Sequence, residues 1–327
     1  MQFQVPIHIK PLPKPITYPN KLMLIGSCFT EHIGSCLFDY KFNITQNPHG
    51  ILFDTLSVCH SIQSYIQHLQ YKEEDLFYLN ELWHSWHHHS MFSNPDKTNI
   101  IQDIKDFQQE AHQSLKQADF LIVTLGSSFS YKLIESGIHV ANCHKAPAQL
   151  FEKYLTPIDE QIDAFTKTLD ALFAFNEGIE VIFTISPVRH IRDGVIDNNR
   201  SKARLLETVH HLVNKYEQVH YFPAYEIVID VLRDYRFYDI DLVHPNYAAT
   251  QYVMERFIES CIDPTIHQLM QEIKSIGIAA KHKAFHPDSS LHKKFLQVHY
   301  EKTKQLQEQY PYLNFTWELS HFASGLE

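Results

Sequence analysis

The 327-residue sequence has no apolar run near the ~18 residues that a membrane-spanning helix requires. Its first twenty residues, MQFQVPIHIKPLPKPITYPN, lack the apolar core of a secretory signal. Positive charge is short as well: 28 Lys and Arg face 38 Asp and Glu, and the formal net charge of -10 argues against an electrostatically held nucleic acid. Five cysteines, an odd number in a long chain, do not form a disulfide framework. Internal repeats and low-complexity tracts are missing too. These absences predict a cytoplasmic protein with no membrane span and no nucleic-acid partner. What is present is enough for a full core: 44% hydrophobic against 20% charged residues is too apolar for disorder. Histidine is abundant at 23, so the real charge moves noticeably between pH 7 and pH 6.

The chain is organised around Lys21–Leu37, KLMLIGSCFTEHIGSCL. Leu22 to Ile25 read as a buried parallel strand, Gly26 breaks it, and Phe29, Ile33, Cys36 and Leu37 fall on one face of a following helix. Ser27 and Cys28 therefore stand at a strand-to-helix turn. Free backbone N–H groups and the helix dipole favour an anion there. A structural role for Ser27, as the helix N-cap, is the plainer alternative.

Residues 1–20, with Pro6, Pro11, Pro13, Pro15 and Pro19, predict an extended leader lying on the domain. Further strands are expected at Lys41–Thr45, Asp119–Leu125, Ile179–Ile185 and Val219–Phe222. Helices are expected at Leu52–Leu69, Ile101–Ala118, Glu160–Phe175, Ser201–Tyr216 (with a Ser cap), Tyr225–Leu232 and Tyr247–Phe257. Apolar strands alternating with helices give an α/β fold: a three-layer α/β/α sandwich on a mostly parallel sheet, spanning 21–262. Residues 263–327 read as a C-terminal helical extension, with helices at Ile266–Ile276 and Leu291–Gln309 and one late strand at Leu313–Trp317. Chemistry in such sheets gathers at the carboxyl ends of the strands. Gly26–Cys28, Asn47–Gly50, Gly126–Ser128 and Ser186–Arg189 all lie at such ends.

Leu82–Ser93, LWHSWHHHSMFS, crowds four histidines and two tryptophans. Neighbouring histidines on an extended segment point to opposite faces, so a zinc set drawn from His87–His89, Cys143 and His144 is disfavoured. A substrate-facing loop is preferred, and no metal or cofactor is expected. Asp241-x-x-His244, just before a helix, places a carboxylate where it can hold an imidazole in one tautomer.

With these residues in view, Ile25-Gly26-Ser27-Cys28-Phe29-Thr30 resembles the signature of the GSCFA-domain family, a branch of the SGNH/GDSL hydrolase superfamily. Asn47-Pro48-His49-Gly50, Thr124-Leu125-Gly126, Asn142-Cys143-His144-Lys145, Ser186-Pro187-Val188-Arg189, the run Tyr221 to Glu226, and Asp241 to Pro245 are similar to the same family, in order, over about residues 20–260. The resemblance implies a flavodoxin-like sandwich with ester-hydrolase machinery and says little about substrate. Laid against the superfamily's Gly-Asp-Ser-Leu block, the nucleophile falls on Cys28; a shift of one residue gives Ser27 instead. The unshifted register keeps Thr30 and Glu31 in place, and a helix N-terminus beside a His–Asp pair is expected to lower the Cys28 pKa. Cys28 is favoured, with His244 as base and Asp241 as its orienting acid. The superfamily's oxyanion donors map onto Gly50 and the Gly126 block, where Ser128 stands instead of the usual Asn. Asn142 or His144 would supply a substitute donor, and Arg189 would meet an anionic substrate group. The expected activity is an acyl-ester hydrolase or acyltransferase on a small molecule or glycan acyl ester, the alternative a non-catalytic ligand-binding protein.

Overall fold

Strands that are apolar on both faces need cover on both sides, and here two helical layers supply it. A computed structural model describes residues 4–326. The chain opens with β1 (Lys21–Gly26), α1 (Cys28–Asp39), β2 (Asn43–Gln46), α2 (Thr55–Gln67), β3 (Leu76–Leu79), β4 (Leu82–Ser85), α3 (Lys97–Gln117) and β5 (Phe120–Leu125). It continues through β6 (Phe129–Leu133), β7 (His139–Val140), β8 (Phe151–Leu155), α4 (Ile158–Phe175), β9 (Glu180–Ile185), α5 (Val195–Lys215), β10 (Val219–Phe222) and α6 (Ala224–Glu226). The last helices are α7 (Tyr247–Cys261), α8 (His267–Lys281), α9 (Ser290–Gln309) and α10 (Thr316–Ser324).

The central sheet has five parallel strands in the order β10-β9-β5-β1-β2. Its winding reverses between β1 and β5, the place where ligands bind in open α/β sheets. Side chains alternate across it with period two. Leu22, Leu24, Phe120, Ile122 and Ile182 face α1, α7 and α8, whereas Met23, Ile25, Leu121, Val123, Val181 and Phe183 face α2, α3, α4 and α5. The expected sandwich is thus present, with helices on both faces and more helices at the C-terminal end.

The leader is extended over its described residues. Ile16 and Tyr18 are buried, Leu12 and Ile16 donate backbone hydrogen bonds to the Ser260 and Cys261 carbonyls, and Ile16 bridges to Ile262. Residues 1–3 lie outside the described residues. Three local expectations need correction. Leu313–Trp317 is not a strand: Leu313 and Phe315 are buried anchors, and α10 begins at Thr316. Helix α5 starts at Val195, so Ser201 and Lys202 sit buried inside it and Ser201 caps nothing. Two antiparallel units were not foreseen, the β3–β4 hairpin and the three-stranded β7-β6-β8 sheet. Among the described residues no helix is long and apolar enough to cross a membrane. A cavity of about 1510 Å³ runs between α1, α7, α8 and α10, and neither Cys28 nor His244 lines it.

Candidate active site

The turn after β1 is built around Gly26. Its φ is 139°, and a Cβ there would lie 2.1 Å from the Thr124 carbonyl oxygen, so only glycine fits. Gly26 N–H donates to Asn47 Oδ1 at 2.9 Å and Ser27 N–H to the Thr124 carbonyl at 3.0 Å, which lock the turn onto β2 and β5. Ser27 holds the N-cap position with extended backbone, yet its hydroxyl caps nothing and is buried without a partner. Cys28, the first residue of α1, is partly exposed. The backbone N–H groups of Cys28 and Phe29 and the charge of Lys202 favour the thiolate. Burial, reinforced by Glu31, outweighs them and moves the thiol above its ordinary value. The lowered Cys28 pKa expected from the sequence is therefore corrected: desolvation wins over the helix N-terminus.

Buried polar groups without partners gather here. Gly26, Thr124 and Thr184 stand level across β1, β5 and β9. The hydroxyls of Ser27, Thr30, Thr124 and Thr184, Nδ2 of Asn47 and Nε2 of His190 are all buried and unpaired. Native interiors rarely leave such groups unsatisfied, so a concentration of them marks a special place. His190, on the loop after β9, sets its ring edge-on to Phe53 at 5.8 Å. Burial first, then Lys202, pushes its imidazole down to about 4.

Lys202 was not singled out from the sequence. It is 1% exposed, and its Nζ donates to the carbonyls of Gly126 and Ser186, both at 2.6 Å. It ties together the ends of β5 and β9. Burial lowers the ammonium to about 7. The signal was present: Lys202 lies on the buried stripe of α5 with Leu205, Val209 and Leu212, at helical spacing.

The predicted Asp–His pair is formed. His244 Nδ1 lies 2.6 Å from Asp241 Oδ2, while Asp241 Oδ1 accepts the N–H groups of Val243 and His244 at 2.9 and 3.0 Å. The hydrogen bond from His244 is the largest cause holding the Asp241 carboxyl down to about 2. Both side chains are about half exposed, 49% for His244 and 45% for Asp241. Among the described residues no hydrogen bond joins His244 to Cys28 or Ser27. The loop carrying the pair is fastened to the loop after β9 by Arg189 N–H donating to the Val243 carbonyl at 3.3 Å. The Arg189 guanidinium lies 6.0 Å from the Tyr238 ring.

The other predicted residues are placed differently. Gly50 N–H is taken by the Asn47 carbonyl at 2.7 Å. Its glycine is needed because a Cβ would lie 2.3 Å from His89 Cβ. Ser128 Oγ donates to the Ser201 carbonyl at 2.8 Å, and its N–H to Ser201 Oγ at 2.7 Å. Both expected oxyanion donors are thus committed to local structure. Gly126 N–H donates to the Phe53 carbonyl at 2.8 Å. Asn142 Oδ1 accepts His144 N–H at 2.8 Å, and His144 Nε2 pairs with the Ser85 carbonyl at 2.8 Å. His144 packs against His84, Trp86 and Phe77, in the histidine-rich hairpin. That hairpin is not the substrate-facing loop expected. Beside it His49 stacks on His88 at 4.2 Å and His60 on His87 at 4.1 Å, which joins the segment after β4 to α2 and the turn after β2.

Comparison with known proteins adds the following. No curated protein sequence matches. A carbohydrate esterase family 3 structure from Talaromyces cellulolyticus is 10% identical, with a TM-score of 0.35 over 77% of this chain and 99% of that one. An acetyl esterase mutant with acetate ion is 12% identical, with the same score over 78% and 99%. An acetyl xylan esterase from the rumen bacterium Butyrivibrio proteoclasticus is 11% identical, again at 0.35, over 78% and 66%. Likeness of this degree carries no argument about chemistry. The family models are decisive by extent. The model for the GSCFA family matches residues 21–257, and that for the GSCFA domain protein C-terminal domain matches residues 273–327. The sheet and the last helices are both covered, and the chain belongs to the GSCFA family.

Proposed function

We propose that the protein is an acyl-ester hydrolase or acyltransferase that works through a covalent thioester on Cys28, with an acylated small molecule or glycan as substrate. The observation that carries the reading is the preformed His244–Asp241 pair on the loop leading into α7; a partly exposed Cys28 opens α1. Helices α1 and α7 cover the same face of the sheet.

The steps follow from those groups. The Cys28 sulfur attacks the acyl carbonyl carbon while His244 takes the thiol proton. The carbonyl electrons move to oxygen, which meets the N–H groups of Cys28 and Phe29. The tetrahedral centre then collapses, the C–O bond breaks, and the leaving oxygen receives the proton from His244. Water or an acceptor hydroxyl next attacks the thioester, with His244 again as base, and frees the thiol. Asp241, held ionised, keeps Nδ1 protonated and Nε2 free to act. Among the described residues His244 makes no hydrogen bond to the sulfur, so the proton transfer requires substrate binding to bring the two together; catalytic hydrogen bonds commonly form only in the complex. Ser27 is the weaker nucleophile because its hydroxyl is sealed from solvent.

A non-catalytic ligand-binding role is the second reading. It is favoured by the engagement of Gly50 N–H and Ser128 Oγ in local hydrogen bonds. Intact mass and peptide mapping after brief exposure to p-nitrophenyl acetate separate the two. A single acetyl adduct on Cys28, absent in Cys28→Ala and His244→Ala and kept in Ser27→Ala, is expected. An adduct on Ser27 would move the nucleophile. No adduct and no turnover over a panel of short acyl esters would favour the binding role.

A further inference from the structure

A guanidinium carries a fork of N–H donors and a charge that it never gives up, so drawing it partly out of water calls for acceptors. Three of the arginines, Arg189, Arg204 and Arg256, are partly buried. Arg204 donates through Nη1 to the carbonyls of Leu155 and Thr156 at 2.7 and 2.8 Å, and Arg256 pairs with Glu259 at 2.8 Å. Arg189 differs from both. Among the described residues its guanidinium has no hydrogen-bond acceptor and no carboxylate within ion-pair distance, and the ring of Tyr238 lies 6.0 Å from it.

The place of Arg189 in the fold gives this unused fork a meaning. It lies on the loop after β9, at the carboxyl end of the sheet, where ligands bind in such folds. Its N–H donates to the carbonyl of Val243, the residue before His244, at 3.3 Å. Tyr238, whose ring its guanidinium meets, bridges to Pro245, the residue after His244. Asp239 N–H, next to Tyr238, donates to the His244 carbonyl at 2.8 Å. Backbone and side chain of Arg189 thus both rest on the segment that carries the His244–Asp241 pair. The neighbouring cations add no fixed second charge. Lys202 is enclosed and bonded to the Gly126 and Ser186 carbonyls, and Arg192 is exposed. One accessible planar fork fits one planar, singly charged carboxylate, whereas a phosphate dianion asks for more positive charge.

We infer that Arg189 is a specificity residue that seats a carboxylate of the substrate, so that the site takes acyl esters which also carry an ionised carboxyl group. The general expectation of an anionic partner for Arg189 is thereby narrowed to one chemical class. Only the word substrate rests on the acyl-transfer reading; capture of the anion needs no turnover.

The experiment compares p-acetoxybenzoate with its methyl ester, which carries the same acetyl group and no charge, on the full chain. The ratio of kcat/KM for the charged ester to that for the neutral one is expected to fall about tenfold from wild type to Arg189→Gln. Arg189→Lys, which keeps the charge and loses the fork, should fall in between. The same ratio in wild type and Arg189→Gln would overturn the inference and leave the acyl-transfer reading standing. Calorimetric binding of p-hydroxybenzoate tests the seat without turnover, and its Kd should rise about tenfold in Arg189→Gln. No binding to the wild type, or one Kd for both proteins, would overturn the inference. Binding that Arg189→Gln weakens, with neither ester hydrolysed by the wild type, would uphold the seat and sink the acyl-transfer reading alone. Where Arg189→Gln fails to fold, phenylglyoxal modification of the wild type decides. p-Hydroxybenzoate should slow modification of Arg189 and leave that of the exposed Arg233 unchanged. An unprotected Arg189 would overturn the inference.

Discussion

Two clusters of buried polar side chains occupy this molecule, and they are built in opposite ways. In the histidine cluster the most buried rings are held by named partners, although His144 Nδ1 is buried without one. His49 pairs through Nδ1 with the Tyr65 hydroxyl at 2.7 Å and through Nε2 with the Tyr71 hydroxyl at 3.2 Å. His84 is held by Ser93 at 2.7 Å and by the Leu79 carbonyl at 3.0 Å, and His88 by Ser85 at 2.8 Å. Around the Gly26 turn, by contrast, the hydroxyls of Ser27, Thr124 and Thr184 have none. A satisfied buried network rigidifies and specifies a fold, whereas an unsatisfied one keeps hydrogen-bonding capacity in reserve. The conspicuous histidines are therefore architecture. The inconspicuous threonines and the glycine stand around the turn on which the proposed chemistry rests.

The largest expected effect tests the reserved place. Asp241→Asn should lower acyl-ester turnover about 10⁴-fold, as in other His–Asp systems, with the melting temperature unchanged because the pair is half exposed. His244→Ala should abolish turnover with equally little effect on folding. A collapsed melting midpoint in either variant would turn the pair into architecture and erase the contrast.

The next effect falls on the other cluster. His49→Ala leaves the buried Tyr65 phenol unpaired, takes one of two partners from Tyr71 and opens a void under His88, and should cost about 3 kcal/mol in denaturant unfolding. Turnover per folded molecule should hold. A loss of rate without a loss of stability would place the histidine cluster in the reaction.

Acid sharpens the same distinction. Burial pushes His49 and His88 well below the ordinary imidazole value, His87 to about 3 and His144 to about 4. The unfolded chain takes up these protons below about pH 6.5 and the folded chain does not. Their stabilisation is thus fully present above about pH 6.5 and is lost as the pH falls towards the folded values. Each such histidine gives a slope of about 1.4 kcal/mol per pH unit inside that window. Denaturant midpoints at pH 7.5 and 5.5 should fall steeply in the wild type and less so in His49→Ala. Equal slopes would mean that His49 does not titrate between the two states.

The smallest effect is the most discriminating. Thr184→Val replaces an unpartnered hydroxyl by a methyl group of the same shape and should change stability by no more than about 0.5 kcal/mol in either direction. Ser85→Ala, which strips His88 of its partner, should cost about 1–2 kcal/mol. Similar values for the two would remove the difference between paired and unpaired sites.

Much of this was legible in the chain, for physical reasons. The continuous apolar runs at Leu22–Ile25, Phe120–Leu125 and Val181–Ile185 admit little but buried parallel strands, and the Gly26 turn follows from them. The Asp241–His244 pair is local, three residues apart, so spacing alone sufficed. What was missed depends on tertiary placement. The β6 and β8 strands carry Lys132, Glu152 and Lys153 and are half exposed on both faces, so no clean alternation announced them. Gly50 and Ser128 were matched by role, but hydrogen-bond capacity is consumed locally and no sequence pattern counts it. Leu313 and Phe315 alternate like a strand because one buried turn needs two anchors. Lys202 shares a helical stripe with Leu205, Val209 and Leu212, but only the placement of α5 over the ends of β5 and β9 shows what it binds.

One further consequence lies in the leader. Ile16 is fully buried, and its backbone is bonded at Cys261 and Asp263. During synthesis the leader emerges before the sheet, yet its partner leaves the ribosome only after the whole sheet has been made. At about 5–20 residues per second that is a wait on the order of ten to fifty seconds. Through that interval the apolar side chains Ile7, Ile9, Leu12 and Ile16 are without part of the core they pack against. A segment made before the sheet thus docks only once the sheet and α7 are complete.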